Sequence, residues 1–283
     1  MSQNKTALVL EGGGMRGTYT TGVLDWMMDQ GLVFDGCYGV SAGVCHACSF
    51  LSNQRNRACR VVVDYIDDKR YLNFRQWLKT GDGFGWDLIM DEIPNKLDPF
   101  DYEAFRNKKT KLFGVVTNCE TGQPEYLEIK DLATQIDVIT ASSSLPMISN
   151  IVTINGKPYL DGGVSDSIPV EKALADGYEK VVVVLTRDGS YRKKPAKTFY
   201  LKGKYKQYPK LIEALQNRYI TYNKALDRID ALEREGKLLV IRPSRPLEVG
   251  RLERNREKLL SIYRIGYHDC EAMEEKIKQY LEI

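Results

Sequence analysis

The sequence predicts a layered α/β fold: a mostly parallel central sheet flanked by helices, with a mainly helical appendage at its C-terminal end. Three observations predict it. Short β-prone runs at 6–10, 37–40, 112–117 and 181–185 are of the kind that a parallel sheet buries on both faces. Helical segments alternate with them, the order that layers helices over a sheet. From about Tyr191 the texture changes to a basic, aromatic stretch followed by long amphipathic segments. The expected division is therefore an α/β domain over 1–190, then a basic linker and helical appendage over 191–283, packed on that core.

The elements follow in order. The run 6–10 leads into EGGGMRG and a helix to about Gln30, which Gly31 ends with positive φ. The strand at 37–40 runs into Ser41, and a helix of small residues follows to about Asn53. At 152–160, Asn155-Gly156 sits between two β-prone arms; a type I′ turn needs positive φ at both central positions, so this reads as a hairpin ending at Asp161. A short strand at 238–242 precedes two prolines, and apolar residues at helical spacing (Leu259, Ile262, Ile277, Leu281) predict a helical tail from Asn255 onward.

Composition excludes several classes. With 283 residues, 43% hydrophobic and 28% charged, the chain buries a substantial core and is neither disordered nor fibrous. A net charge of +3 does not by itself call for nucleic acid, and none is expected as a partner. The opening MSQNKTALVLEGGG lacks the long apolar region and cleavage site of a secretory signal. No apolar run approaches the ~20 residues of a membrane span. The expectation is a cytoplasmic protein that touches the inner membrane surface at most peripherally. In that compartment the six cysteines, including the Cys45-x-x-Cys48 pair, read as core residues.

Gly39-Val40-Ser41-Ala42-Gly43 matches G-x-S-x-G between a strand and a helix. A serine lifted on such a turn requires small neighbours two residues to either side, and sits at a helix N-terminus that favours a developing anion. The alternative is a tight turn with an N-capping serine. A serine nucleophile needs a base, and the chain has two histidines. His46 lies five residues after Ser41 on the same helix and points off its face. His268 lies far away in the tail, and both read as structural imidazoles. The candidate base is a carboxylate, Asp161, followed by Gly162 and Gly163; the alternative there is a plain Asp-Gly turn. The loop Gly12-Gly13-Gly14-Met15-Arg16-Gly17 admits three readings. A dinucleotide fingerprint would need an acid such as Asp35 on a proper strand, and a P-loop would need Gly-Lys-Ser/Thr. Beside a serine elbow, the leading reading is an oxyanion hole of glycine amides, with Arg16 supporting it.

These blocks, GGGMRG at 12–17, GVSAG at 39–43 and DGG at 161–163, resemble in this order the patatin-like phospholipase family, as do ASSSLP at 141–146 and the run to Pro169. The resemblance covers about 6–188. It implies a Ser41–Asp161 dyad, an oxyanion hole from the amides of Gly13 and Gly14, with that of Ala42 as a further candidate, and no metal or organic cofactor. The function so implied is hydrolysis of lipid or other esters. An acyltransferase using the same dyad, or a lipid-binding regulatory module without catalysis, are the rival readings.

Two further segments bear on substrate access. Between Gly189 and Ile212 stand Arg192, Lys193, Lys194, Lys197, Lys202, Lys204, Lys206 and Lys210, without an acid and interleaved with Tyr191, Phe199, Tyr200, Tyr205 and Tyr208. This is a solvated loop, a contact for an anionic membrane or, by the same composition, an RNA-binding segment. The aromatic, glycine-broken stretch 71–105 is either a set of ordinary surface helices or a lid over an acyl pocket.

Overall fold

The computed structural model describes residues 5–197 and 201–283, apart from the Lys202 side chain. Its frame is one eight-stranded sheet. The strands are β1 (Thr6–Leu10), β2 (Gly36–Val40), β3 (Lys111–Asn118), β4 (Pro124–Ile129), β5 (Val152–Ile154), β6 (Lys157–Asp161), β7 (Lys180–Val184) and β8 (Leu238–Ile241). They lie in the order β5-β6-β3-β2-β1-β7-β8, with β4 also on β3. The pairings from β3 through β2, β1 and β7 to β8 are parallel, while β4, β5 and β6 pair antiparallel. The sheet is thus mostly parallel, and helices flank it.

Those helices are α1 (Thr18–Asp29), α2 (Ala42–Leu51), α3 (Arg57–Val63), α4 (Phe74–Thr80), α5 (Tyr102–Arg106), α6 (Leu132–Ser143), α7 (Val170–Ala175), α8 (Leu201–Lys204), α9 (Pro209–Arg234), α10 (Arg256–Glu271) and α11 (Glu274–Leu281). Side chains of a strand alternate between faces, and both faces here are covered. Leu8, Leu10, Val182 and Val184 pack with Tyr19, Val44 and Ile262 of α1, α2 and α10. Ala7, Val9, Val181 and Val183 pack on the other side with Val170 of α7 and Leu226 and Ile229 of α9. That two-sided burial is why these strands read as continuous apolar runs. β4 (PEYLEI) is half-exposed along five of its six residues and carries two glutamates, so it escapes a search for such runs. The hairpin forms as its turn demands, with φ of 51° at Asn155 and 78° at Gly156.

One feature of β3 positions the site. β4 occupies one flank through Thr117. The opposite flank is shared: β2 pairs up to Val115, and β6 takes over from Val116. β2 leaves the sheet at Val40, and β6, running the opposite way, arrives at Asp161. The two strands therefore meet head to head, and Ser41 and Asp161 stand at the junction.

The segment after residue 190 is woven into this frame. β8 extends the sheet beside β7, and α10 lies along α1 at backbone distance. A Cβ at Gly22 would strike the Tyr263 carbonyl, and one at Gly266 the Tyr19 carbonyl. The helical tail is interrupted around Met273 between α10 and α11. In the basic stretch, Leu201 and Tyr205 are buried, and the Tyr205 hydroxyl accepts from the Met147 amide at 2.8 Å. Arg192 reaches Asp227 and Asp230, and Lys210 pairs with Glu213. Lys194, Lys197 and Lys206 are exposed. Phe199, Tyr200 and the Lys202 side chain lie outside the described residues. Among the described residues, no helix is long and apolar enough to cross a membrane.

Candidate active site

Ser41 stands between β2 and α2 with φ 54° and ψ −126°, a left-handed conformation that is costly for any residue with a side chain. The two glycines of the elbow make it feasible. A Cβ at Gly39 would collide with Val44 Cα, and one at Gly43 would lie 2.6 Å from the Leu10 carbonyl oxygen. The turn is also clamped from α6. The Ser41 amide donates to Ser142 Oγ at 2.9 Å, and that hydroxyl donates to the Val115 carbonyl at 2.7 Å. The elbow is thereby tied to β3.

The glycine loop passes directly over this turn: a Cβ at Gly12 would lie 2.9 Å from Ser41 Cβ. Gly14 has φ +56°, and a Cβ there would lie 2.6 Å from the Arg251 carbonyl oxygen. The same carbonyl accepts the Met15 amide at 3.1 Å. Among the described residues, the amides of Gly12, Gly13 and Gly14 donate to no protein acceptor, and these glycines line one pocket with Ser41, Asp161 and Arg16. Gly17 does not join them. It allows close contact with α2, where a Cβ would lie 2.9 Å from both Ala42 Cβ and His46 Nε2. Gly39 and Gly43 shape the elbow from behind, and Ala42 lines a separate apolar pocket.

Asp161 is buried and its backbone is held on both sides. Its amide donates to the Ser144 carbonyl at 2.9 Å, and its carbonyl accepts from Thr117 Oγ1 at 2.9 Å. Oδ1 accepts the Gly163 amide at 2.7 Å; among the described residues Oδ2 has no hydrogen-bond partner. Burial pushes the carboxyl above the usual carboxylate range, opposed first by the positive charge of Arg218 and then by the nearby Ser41 hydroxyl. Ser41 thus acts on this titration without a hydrogen bond of ordinary length to Oδ2.

Neither histidine hydrogen-bonds to Ser41. His46 is buried, its Nε2 has no partner among the described residues, and burial pushes its pKa down to about 4. It lines the apolar pocket rather than pointing clear of the site. His268 is exposed on α10, with Nδ1 2.9 Å from Glu271 Oε2. Asp35 does not fit a dinucleotide site: it precedes β2 and accepts from Thr6 at the start of β1, the opposite end of both strands from the glycine loop.

Two pockets meet at Ser41. The first, a cavity of about 120 Å3, is walled by Val61 and Val62 of α3 and by Tyr71, Phe84, Trp86 and Ile89. The stretch 71–105 therefore contributes much of its wall. The second, a tight cavity of about 20 Å3, contains the glycine loop and Asp161 together with Arg16, Arg187, Lys193, Arg218 and Arg251. Gly14, Ser41 and Leu145 line both. In the sequence Arg16 stands out within the glycine loop, and Lys193 only as part of a basic run. Arg187, Arg218 and Arg251 carry no local signal, because what marks them is convergence from a loop, α9 and a second loop. Ser142 was visible only as part of ASSSLP.

A family model described as patatin-like phospholipase matches residues 8–174, and one described as a domain of unknown function (DUF6363) matches residues 208–282. The chain is 28% identical over 277 residues to YjjU of Escherichia coli (strain K12), described as an uncharacterised protein; the match covers 93% of this chain and 75% of that protein. It is 27% identical over 188 residues to lysophospholipase NTE1 of Eremothecium gossypii, covering 65% of this chain but 12% of that much longer protein. Among solved structures, VipD from Legionella pneumophila aligns over 99% of this chain and 67% of its own, with TM-score 0.48 and 14% identity.

Proposed function

Because the chain belongs to the patatin-like phospholipase family, we propose that it is a lipid acyl hydrolase in which Ser41 is the nucleophile and Asp161 its base. The observation that carries this reading is the junction of β2 and β6. It sets a strained serine beside a buried carboxylate with one oxygen unpaired, in a pocket whose glycine amides have no protein acceptor.

In the proposed mechanism the Ser41 hydroxyl attacks the ester carbonyl carbon while its proton passes to Asp161. The carbonyl oxygen becomes an anion against the amides of the glycine loop, where preorganised donors are most effective. As the tetrahedral intermediate collapses, the alcohol leaves with the proton from Asp161, and Ser41 holds the acyl group. Water then gives a proton to Asp161 and attacks the acyl carbon. Release of the fatty acid returns that proton to Ser41. The acyl chain occupies the apolar pocket.

The test is labelling by a fluorophosphonate probe and hydrolysis of p-nitrophenyl esters of several chain lengths, with Ser41→Ala and Asp161→Asn alongside. Wild type is labelled and active, and Ser41→Ala loses at least about 10⁴-fold. Full activity in Asp161→Asn would transfer the role of base to another group. A wild type inert to the probe and to all esters, with vesicles present, would overturn hydrolysis in favour of a lipid-binding module.

Access to lipid belongs to the same reading. Phe74 and Leu78 are 68% and 66% exposed, four residues apart on one face of α4, in the stretch that walls the acyl pocket. This face is proposed as the peripheral contact with a lipid surface.

A further inference from the structure

Glu11 is the last residue before the glycine loop, and it is buried in the cationic pocket where Arg16, Arg187, Lys193, Arg218 and Arg251 converge. Three donors fill its carboxylate. The Thr186 amide and Oγ1 donate to Oε2 at 2.6 and 3.0 Å, and the Tyr222 hydroxyl donates to Oε1 at 2.6 Å. A carboxylate so occupied is not free to take a proton from Ser41. Its negative charge also opposes an oxyanion forming nearby, which the surrounding cations offset. Its contribution to the site is therefore geometric.

The geometry is that of a clamp on the entrance of the loop. The Glu11 amide donates to the Val184 carbonyl at 3.0 Å, which extends β1 by one residue beside β7. The Glu11 side chain then holds Thr186, whose Oγ1 also lies 3.4 Å from the Gly12 carbonyl oxygen and would be 2.8 Å from a Cβ at Gly13. Thr186 thus lies flat on the loop. Glycines have no side chain to anchor and the widest choice of φ and ψ, so the amides of Gly12, Gly13 and Gly14 take their direction from what touches them. At the exit of the loop, the Arg251 carbonyl holds the Met15 amide. At the entrance, the outermost link is Tyr222.

Tyr222 belongs to α9, within the segment 208–282 that lies beyond the patatin-like match. Its side chain is buried. Burial, and then the charge of Glu11, push the phenol pKa upward, so the hydroxyl remains a donor. Its position is well fixed. Leu226 and Ile229, one and two turns further along α9, pack in the core with Val181 and Val183 of β7. Asn223 bonds the Lys193 amide and carbonyl at 2.8 and 3.0 Å, and Lys193 Nζ lies 4.2 Å from the centre of the Tyr222 ring.

We infer that Tyr222 is a positioning residue for the oxyanion hole: acting through Glu11 and Thr186, it holds the glycine-loop amides in line with the oxygen that turns negative. The C-terminal segment is then a working part of the active site. The inference rests on the proposed hydrolysis at Ser41 and assigns that site a further residue.

The test compares wild type with Tyr222→Phe, which removes one hydroxyl and keeps the ring. Hydrolysis of p-nitrophenyl butanoate is measured with kcat counted per fluorophosphonate-labelled site, so that misfolded copies do not enter. Tyr222→Phe should lower kcat by about tenfold or more and leave KM within about twofold, the split expected of a group that acts on the transition state. Affinity for an alkyl trifluoromethyl ketone, whose adduct with Ser41 carries an oxyanion, should fall by the same factor. Because Tyr222 acts through Glu11, the double variant Glu11→Gln/Tyr222→Phe should lose no more than the worse of the two single variants. A loss confined to KM, to Tm or to the number of labelled sites assigns Tyr222 to folding and overturns the inference. Losses that multiply in the double variant overturn it too, since the two residues then act separately. Either result leaves hydrolysis at Ser41 standing. If wild type takes no label and turns over no ester, hydrolysis falls and the inference falls with it.

Discussion

The apolar pocket and the cationic pocket share Ser41, yet they are made from different stretches of chain and answer to different physics. The first is lined by residues between Gly14 and Leu145, and folding stabilises it, because its walls bury apolar surface at about 25 cal/mol per Å2. Its one charged lining residue, Arg57, lies 3.4 Å from Asp98. The second takes four of its five cations from Arg187 to Arg251, and folding pays for it. The difference teaches where selectivity resides. A greasy slot discriminates weakly between chains that differ by a methylene, whereas a site whose polar groups are left unpaired by the wrong ligand discriminates strongly.

Four changes break or sharpen this comparison. The largest acts where the pockets join. Asp161→Asn is expected to lower kcat by about 10²–10⁴-fold on every ester, and at the same time to raise Tm at pH 7. The reason is the direction of the pKa shift. With its folded pKa above the unfolded value of about 3.9, Asp161 keeps its proton in the folded state after the unfolded chain has lost it, so stability falls as pH rises between the two. Asparagine removes that cost, and the Tm advantage should vanish below about pH 4. An advantage that persists there would trace to packing instead of charge.

Next, Ala58→Phe fills the apolar pocket from α3. Esters of long acids should lose about tenfold in kcat/KM relative to short ones. An equal loss on esters of every length would assign the change to folding or to the reacting groups and not to the pocket. Smaller still, Phe74→Ser with Leu78→Ser should slow hydrolysis on vesicles about three- to tenfold and leave a soluble ester untouched; equal loss on both substrates would assign these residues to folding. The most delicate test is the acid limb of the kcat/KM profile. A base must be ionised, so activity falls as pH drops through the Asp161 pKa. Arg218 holds that value down against burial, so Arg218→Met should move the limb to higher pH. A limb that stays in place would show that another group titrates there.

The same comparison explains what was readable from sequence. The serine elbow, the glycine loop and the Asn155-Gly156 hairpin are local: each needs a particular residue at a fixed offset, and the sequence displays the residue. The mostly parallel sheet was legible because two-sided burial writes continuous apolar runs. The end-to-end meeting of β2 and β6 on β3 left no such mark, since strand register is a property of partners. Arg218 is one polar residue on the amphipathic helix α9, indistinguishable there from its solvated neighbours. Helical spacing takes His46 off the serine's face, but it does not display the close approach of Gly17 to His46 or the imidazole's place in the pocket wall.

The Arg251 carbonyl, which receives the Met15 amide and abuts Gly14, carries a consequence for the life history of the molecule. During synthesis the serine, the aspartate and the glycines emerge long before this carbonyl, because domains form in the order in which the ribosome releases them. An unfinished copy therefore holds the reactive groups without the brace that sets the loop over them. A copy nicked by a protease ahead of residue 251 is in the same condition. The glycine loop is therefore set over the serine only after residue 251 has joined the fold.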